Sequence, residues 1–181
     1  MKQQENNIEF IQLINLGLYR THLDSFDLDY WVNNIYEYKK NNPISVLNSN
    51  RGGWQSNQNL DTISKFFPLC KIILDAMYLI SPNPARIITS MWANISLFTN
   101  YNAPHHHASD EYPYTRYSGV IYLKVPPNSG DIVFNTALNN SLGHPISPKE
   151  RDILFFPSAL AHYVEPNLSQ EGRISIAFNF N

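Results

Sequence analysis

The chain has one cysteine, Cys70, in 181 residues. No internal disulfide can form, which fits a reducing compartment. Cys70 sits in the apolar run FFPLCKIIL, where a thiol is expected to act as a small buried hydrophobe and not as a nucleophile. A basic excess is also missing: the formal charge is −2 and the pI is near 6.3, so there is no general case for electrostatic capture of nucleic acid. No apolar run reaches the roughly 18 residues of a membrane span, and the opening MKQQENNIEF has neither the basic start nor the apolar core of a signal peptide. The expected location is the cytoplasm. Internal repeats are absent, and so is any persuasive paired-carboxylate or Ser-His-Asp arrangement.

Hydrophobic residues make up 43% of the chain, aromatics 13% and charged residues 15%, a composition for a globular, β-rich domain. One domain, 1–181, is expected, with residues 1–85 as helical support and substrate loop and 86–181 as the core. FIQLINLGLY suggests a first strand. SFDLDYWVNNIYEYKKN has amphipathic spacing, with Ser25 as N-cap and Pro43 ending the helix. LDTISKFFPLCKIILDAMYLI is again helical, Pro68 marking a kink or a late start. From Arg86 onward short strand-like runs alternate with Pro- or Gly-containing separators: RIITSMWANISLFT, YSGVIYLKV, GDIVFNT, RDILFFP and RISIAFNF. The fold class expected is mainly β with N-terminal helices, a double-stranded β-helix of jelly-roll, cupin-like type, with the helices covering one sheet.

The feature richest in chemistry is His105-His106-His107, with His162 and then Arg173 further on. Imidazoles bind borderline divalent metals, and residues at i and i+2 of a strand share a face. His105 and His107 therefore fit one site, with His106 facing away. A third ligand from a distant strand would close one face of an octahedron and leave the other open, a geometry of non-haem iron centres more than of closed structural zinc. Taken singly each residue has a plainer role: the histidine run as an exposed polar turn, His162 as a hydrogen-bonded surface residue, Arg173 as the partner of Glu171, Glu165 or Asp152, and Tyr122 and Trp92 as core aromatics. His144 and His22 are read as solvent-facing turn residues.

The ordered set Asn102, Pro104, His105, His107, Ser118, Gly119, Tyr122, Leu123, Phe156, Pro157, Ser158, His162, Arg173, Ile174 and Ser175, with the GGWQS loop at Gly52 to Ser56, resembles a small branch of the 2-oxoglutarate/Fe(II)-dependent oxygenase superfamily. The resemblance covers about residues 50–181. It implies His105, His107 and His162 as Fe(II) ligands, and Arg173 as partner of the distal 2-oxoglutarate carboxylate, with Ser175 and Tyr122 as further donors. A planar guanidinium fork suits a carboxylate better than a lysine point charge. It also implies consumption of O2 and 2-oxoglutarate, release of succinate and CO2, and hydroxylation of a C–H bond in a small molecule, amino acid or peptide.

Position 107 departs from the superfamily's usual Asp or Glu, and Asp110 is the alternative ligand. Trp54, Gln55, Trp92, Asn94 and Tyr112 are the candidate substrate contacts, and ASDEYPYTRY, between His107 and Ser118, is a candidate lid. Metal affinity is expected to fall as the pH drops through the ordinary histidine range near 6.5. Two other readings stay open: a cupin-type three-histidine dioxygenase working without 2-oxoglutarate, and a non-catalytic jelly roll that binds a ligand.

Overall fold

The computed structural model describes residues 17–80, 86–108, 116–135 and 143–181. Two antiparallel sheets face each other, as expected for the double-stranded β-helix. The larger has the order β1 (Tyr19–His22), β9 (Asp152–Pro157), β6 (Tyr117–Lys124), β11 (Arg173–Phe180), β4 (Ile88–Ser96), β3 (Trp54–Gln55). The smaller runs β2 (Asn50–Arg51), β5 (Tyr101–His105), β10 (His162–Val164), β7 (Ile132–Phe134), β8 (His144–Ile146). The proposed FIQLINLGLY strand lies mostly outside the described residues, and β1 begins at its last residue.

Helix α1 spans Leu28–Asn41, and its N-cap is Asp27, not Ser25: the Asp27 carboxylate accepts the Tyr30 N–H at 3.0 Å. Phe26, just before the cap, stacks on Trp31 with ring centroids 6.2 Å apart. This hydrophobic staple fixes the entry of the chain and selects Asp27 over Ser25. Helix α2 spans Phe67–Ile80 after two short 3-10 turns at Leu60–Thr62 and Ser64–Phe66. Pro68 thus marks a late start, where its missing N–H costs no helical bond. Both helices pack on the larger sheet: Trp31, Ile35, Leu69, Ile73 and Met77 share one core with Met91, Ile95, Ile121, Phe155, Ile174, Ile176, Phe178 and Phe180. Cys70 is packed against this core, and burial, followed by the nearby Asp61, pushes its thiol up to about 11. The thiolate is therefore scarce at neutral pH.

Strand alternation does the rest. In β11 the even positions Ile174 to Phe180 face the helices, leaving Arg173, Ser175, Ala177 and Asn179 to point between the sheets. In β4 the complementary set Trp92, Asn94 and Ser96 lies opposite Ala177, Ser175 and Arg173. A second apolar cluster, including Val120, Tyr122, Ile132, Phe134, Leu154, Phe156 and Leu160, fills the space between the sheets.

The segment Gly52-Gly53 carries the chain from β2 in the smaller sheet to β3 in the larger one. Both glycines have positive φ, and a Cβ on Gly53 would lie 2.5 Å from the Ile95 carbonyl oxygen. Backbone strain and collision with main chain act together there. Gly53→Ala is expected to cost about 2 kcal/mol of stability, visible in urea unfolding as a lower midpoint at unchanged slope. An unaltered midpoint would contradict the packing described.

His22 lies in strand β1, where its Nδ1 is 3.1 Å from Asp152 Oδ1, and Arg20 pairs with the same carboxylate. Burial opposes ionisation of Asp152, but hydrogen bonds from His22, the Lys149 N–H and Arg20 outweigh it and hold the carboxyl below the ordinary range. His22 therefore ties down an edge strand and is not a turn residue. His144 is exposed but also lies in a strand, β8.

Candidate active site

His105 is the last residue of β5 and lies directly opposite His162 on β10. Between these strands the register slips: His162 pairs with His105, but Val164 pairs with Asn102. The extra residue is a bulge in the stretch holding Pro104, which cannot donate to a ladder and is tolerated at such irregularities. Without the bulge, Asn102 and His105 would face opposite sides. With it, both line the cavity between the sheets. His107 lies past the end of β5, and its N–H donates to the Ser158 carbonyl at 2.8 Å. The i, i+2 pair thus shares a site because a turn is tied to the FPS segment, not because both residues sit in one strand. His106 is exposed at the mouth.

One ligating nitrogen from each of His105, His107 and His162 lies within 4.8 Å of the others. His105 Nδ1 is 2.8 Å from the Ala103 carbonyl and His162 Nδ1 is 2.9 Å from the Leu160 carbonyl. A carbonyl only accepts, so both rings carry their proton on Nδ1 and keep the Nε2 lone pair. The Nε2 atoms of His107 and His162 approach to 3.3 Å. Phe134 and Phe156 pack around His162, and Trp92 stacks on His107 at 5.4 Å and 22°. The donor set therefore fits a borderline divalent cation: convergent imidazole nitrogens in an apolar collar, two of them with the proton held away from the centre.

Burial, and then the neighbouring His162 and His105, lowers His107 to about 3. Burial, followed by His105, lowers His162 to about 4, and His105 is lowered chiefly by burial. In the metal-free protein these rings stay neutral while an unfolded histidine already titrates near 6.5. The unfolded chain then binds more protons, and stability is lost as pH falls from about 6.5 toward the folded values. At pH 5, His107 and His162 should each cost about 2 kcal/mol. A thermal melt of metal-free protein should move down between pH 7 and pH 5, and a flat profile would contradict the buried neutral imidazoles. The expected loss of metal affinity through pH 6.5 is corrected by the same burial: in the folded protein, competition from protons sets in lower.

Further along the inter-sheet space lies a cavity of about 50 Å³ lined by Asn94, Asn102, His105, Tyr122, His162, Arg173 and Ser175, among others. Arg173 is 4% exposed, and its Nη1 donates to the Ser129 and Gly130 carbonyls at 2.8 and 3.0 Å. Among the described residues no acidic side chain is within ion-pair distance of it. Glu171 pairs with Lys124, Asp152 with Arg20 and His22, and Glu165 accepts the Asp131 N–H. The plainer reading of Arg173 as a structural ion pair with one of these acids is thereby corrected. Ser175 sits in register with Tyr122 on one side and Asn94 on the other. The Asn94 Oδ1 is buried without a hydrogen-bond partner among the described residues, and burial pushes the Tyr122 hydroxyl well above its ordinary range, keeping it a neutral donor.

On the other side of the histidines a wider pocket of about 480 Å³ opens to solvent, lined by residues that include Ser49, Arg51, Gln55, Gln58, Trp92 and Asn179. Of the candidate substrate contacts, Gln55 and Trp92 line this pocket. Trp54 is not: it pairs with Ile95, on the helix-facing parity, and its indole N–H donates to the Asn42 carbonyl at 2.9 Å. Alternation allows only one of Trp54 and Gln55 to face inward, and Gln55 does. Asn94 is likewise displaced from the mouth to the Arg173 cavity, because its register partner is Ser175. Tyr112, Asp110 and most of the candidate lid lie outside the described residues. Sequence reasoning assigned no role to Asn179, although its even spacing from Arg173 along β11 was the available signal.

Residues 136–179 match the family model described as "Putative 2OG-Fe(II) oxygenase". No curated protein matches the chain. Among solved structures, a Pseudomonas putida prolyl-4-hydroxylase is 14% identical, with 92% of each chain covered and a TM-score of 0.67. HygX from Streptomyces hygroscopicus, solved with nickel and 2-oxoglutarate bound, is 13% identical over 92% of this chain and 82% of its own, with a TM-score of 0.67. The non-heme alpha-ketoglutarate-dependent carbocyclase SnoK from nogalamycin biosynthesis is 12% identical over 91% and 79%, with a TM-score of 0.71. Residues 136–179 thus match a 2-oxoglutarate/Fe(II) oxygenase family model, and the chain shares the fold of these solved structures.

Proposed function

We propose that the chain is a single-domain, cytoplasmic 2-oxoglutarate-dependent dioxygenase that hydroxylates a C–H bond of a small molecule, amino acid or peptide. In this reading His105, His107 and His162 hold Fe(II), while Arg173, Ser175 and Tyr122, joined by Asn94, hold the co-substrate. The observation that carries it is the pairing, in one inter-sheet space, of a three-imidazole group with a buried guanidinium that has no described carboxylate within ion-pair distance. A buried cation without a counter-ion is costly, and an anionic ligand removes that cost.

When bound, Fe(II) and 2-oxoglutarate supply the oxidising chemistry: O2 is consumed, the co-acid leaves as succinate and CO2, and one oxygen atom enters the substrate. The chain's own residues orient and exclude. Arg173 fixes the far carboxylate, with Ser175 and Tyr122 beside it as neutral donors. Ala103 and Leu160 set the tautomers of two ligands. Phe134, Phe156 and Trp92 keep water from the imidazoles. Gln55, Trp92 and the polar rim at Ser49, Arg51 and Gln58 face the incoming substrate.

The reading is tested by loading purified protein anaerobically with Fe(II), adding 2-oxoglutarate and O2, and measuring succinate. Slow succinate release without substrate, dependent on both Fe(II) and 2-oxoglutarate, is the expected result. Metal uptake with no succinate under any condition would favour the three-histidine dioxygenase that works without 2-oxoglutarate. Absence of stoichiometric metal would favour a non-catalytic jelly roll.

A further inference from the structure

We infer that the substrate carries a carboxylate, held by Arg51 at the rim of the wider pocket, while the Gln55 amide binds a second polar group of the same molecule. The inference names a substrate class for the oxygenase reading above and rests on it. Gln55 is 2% exposed, lines the pocket and sits in register with Asn94. Its main chain is satisfied: the N–H donates to Ser45 Oγ at 3.0 Å, and the carbonyl accepts the Val46 N–H at 3.0 Å. Its side-chain amide has no hydrogen-bond partner among the described residues. A buried amide left unpaired is costly. A hydrogen-bonding group on the substrate removes that cost.

Arg51 supplies the charge. Its Nη1 donates to the carbonyls of Asn48, Ser49 and Asn50 at 3.0, 3.3 and 3.1 Å, and Asn48 and Ser49 line the same pocket. Three acceptors on one nitrogen pin the guanidinium against its loop, while Nε and Nη2 have no acceptor among the described residues. Those two nitrogens form one edge of the planar fork, which matches the two oxygens of a carboxylate. Among the described residues no acidic side chain is within ion-pair distance of Arg51, and none lines the pocket. The walls therefore carry one sign of charge, amid neutral amides and imidazoles, and draw an anion. Arg51 ends β2 in the smaller sheet and Gln55 ends β3 in the larger. The Gly52-Gly53 crossing thus brings a charged group and a neutral one to the same pocket from different sheets.

The test is isothermal titration, without O2, of the full chain loaded with Mn(II) and excess 2-oxoglutarate, so that probe acids are kept from Arg173. The probes are N-acetyl amino acids, each paired with its primary amide, and acetylated tripeptides with theirs. At least one acid is expected to bind about 10-fold more tightly than its amide, the size of one charge-assisted hydrogen bond. Tightest binding by a tripeptide acid would mark the carboxylate as a peptide terminus, and by a single residue as a free acid; both support the inference. Arg51→Gln is expected to erase the preference by weakening the acid alone, and Arg51→Lys to keep part of it. Lys40→Gln, the same charge change at an exposed position of α1, is expected to keep all of it. Gln55→Leu should weaken acid and amide alike, about 3–10-fold. No acid binding more tightly than its amide would overturn the inference, and native protein alone decides that, whether or not the variants fold. So would full acid preference in Arg51→Gln, or unchanged affinities in Gln55→Leu. If the same protein still releases succinate with Fe(II), 2-oxoglutarate and O2, the oxygenase reading survives that failure; if it takes up no metal, both fall.

Discussion

His162→Ala is expected to abolish stoichiometric metal binding, with affinity reduced by more than about 100-fold. Loss of an outer-shell partner alone typically costs 10–100-fold, and this substitution removes one of the three proposed ligands, the imidazole opposite His105. His162 is the distant member of the set: it comes from β10, while His105 and His107 are close neighbours in sequence on and just after β5. Without it the two remaining imidazoles define no closed face for a cation. The fold should survive, because the chief local loss is the bond to the Leu160 carbonyl, about 1–2 kcal/mol. Isothermal titration with Mn(II) or Co(II) reads the effect. Asp110→Asn serves as its counterpart: retained affinity in that variant, with affinity lost in His107→Ala, is what the three-imidazole set requires. The opposite pattern would hand the third ligand position to Asp110.

Strand parity explains why so much of this site was legible and why parts were not. Alternation along RISIAFNF separates Arg173 and Ser175 from the core-facing isoleucines, so the co-substrate group could be proposed from the sequence once the motif order was seen. The same rule, applied to WQ, would have excluded Trp54, but only if β3 had been recognised as a strand, and two residues give too short a period to read. Asn94 and Trp92 share a face, yet they lie at different depths, and depth depends on the register with β11, which one strand's sequence does not contain. The bulge at Pro104 is also invisible to periodicity: it changes the parity of Asn102 relative to His105 by the count of one residue. Ser25 was displaced as cap by Asp27 because the staple between Phe26 and Trp31 is a tertiary preference acting on a local choice. The two helices and the two-sheet fold class followed from amphipathic spacing and turn chemistry, signals that extend over many residues and tolerate local errors.

Arg173→Ala is expected to leave metal affinity within a few-fold of native while raising the 2-oxoglutarate concentration needed for half-maximal succinate release by about 100-fold or more. Hydrogen bonds to charged groups are worth about 1.5–3 kcal/mol each, and a fork that contributes two of them contributes a factor of that size. The separation of the two effects is the diagnostic part, because Arg173 lines the inter-sheet cavity but does not belong to the metal-binding group. Arg173→Lys should recover only part of the loss, since an ammonium keeps the charge but not the planar fork. The Ser129 and Gly130 carbonyls that now accept from Nη1 would lose their partner in the alanine variant. Some loss of stability in denaturant is therefore expected, and it must be measured beside the kinetics. Removing a buried cation that lacks an ion pair also relieves a desolvation cost, so the two terms oppose each other and the net change should stay small against the effect on co-substrate affinity. Unchanged 2-oxoglutarate dependence in a folded Arg173→Ala protein would remove the guanidinium from the co-substrate site. The cavity between the sheets would then need another occupant.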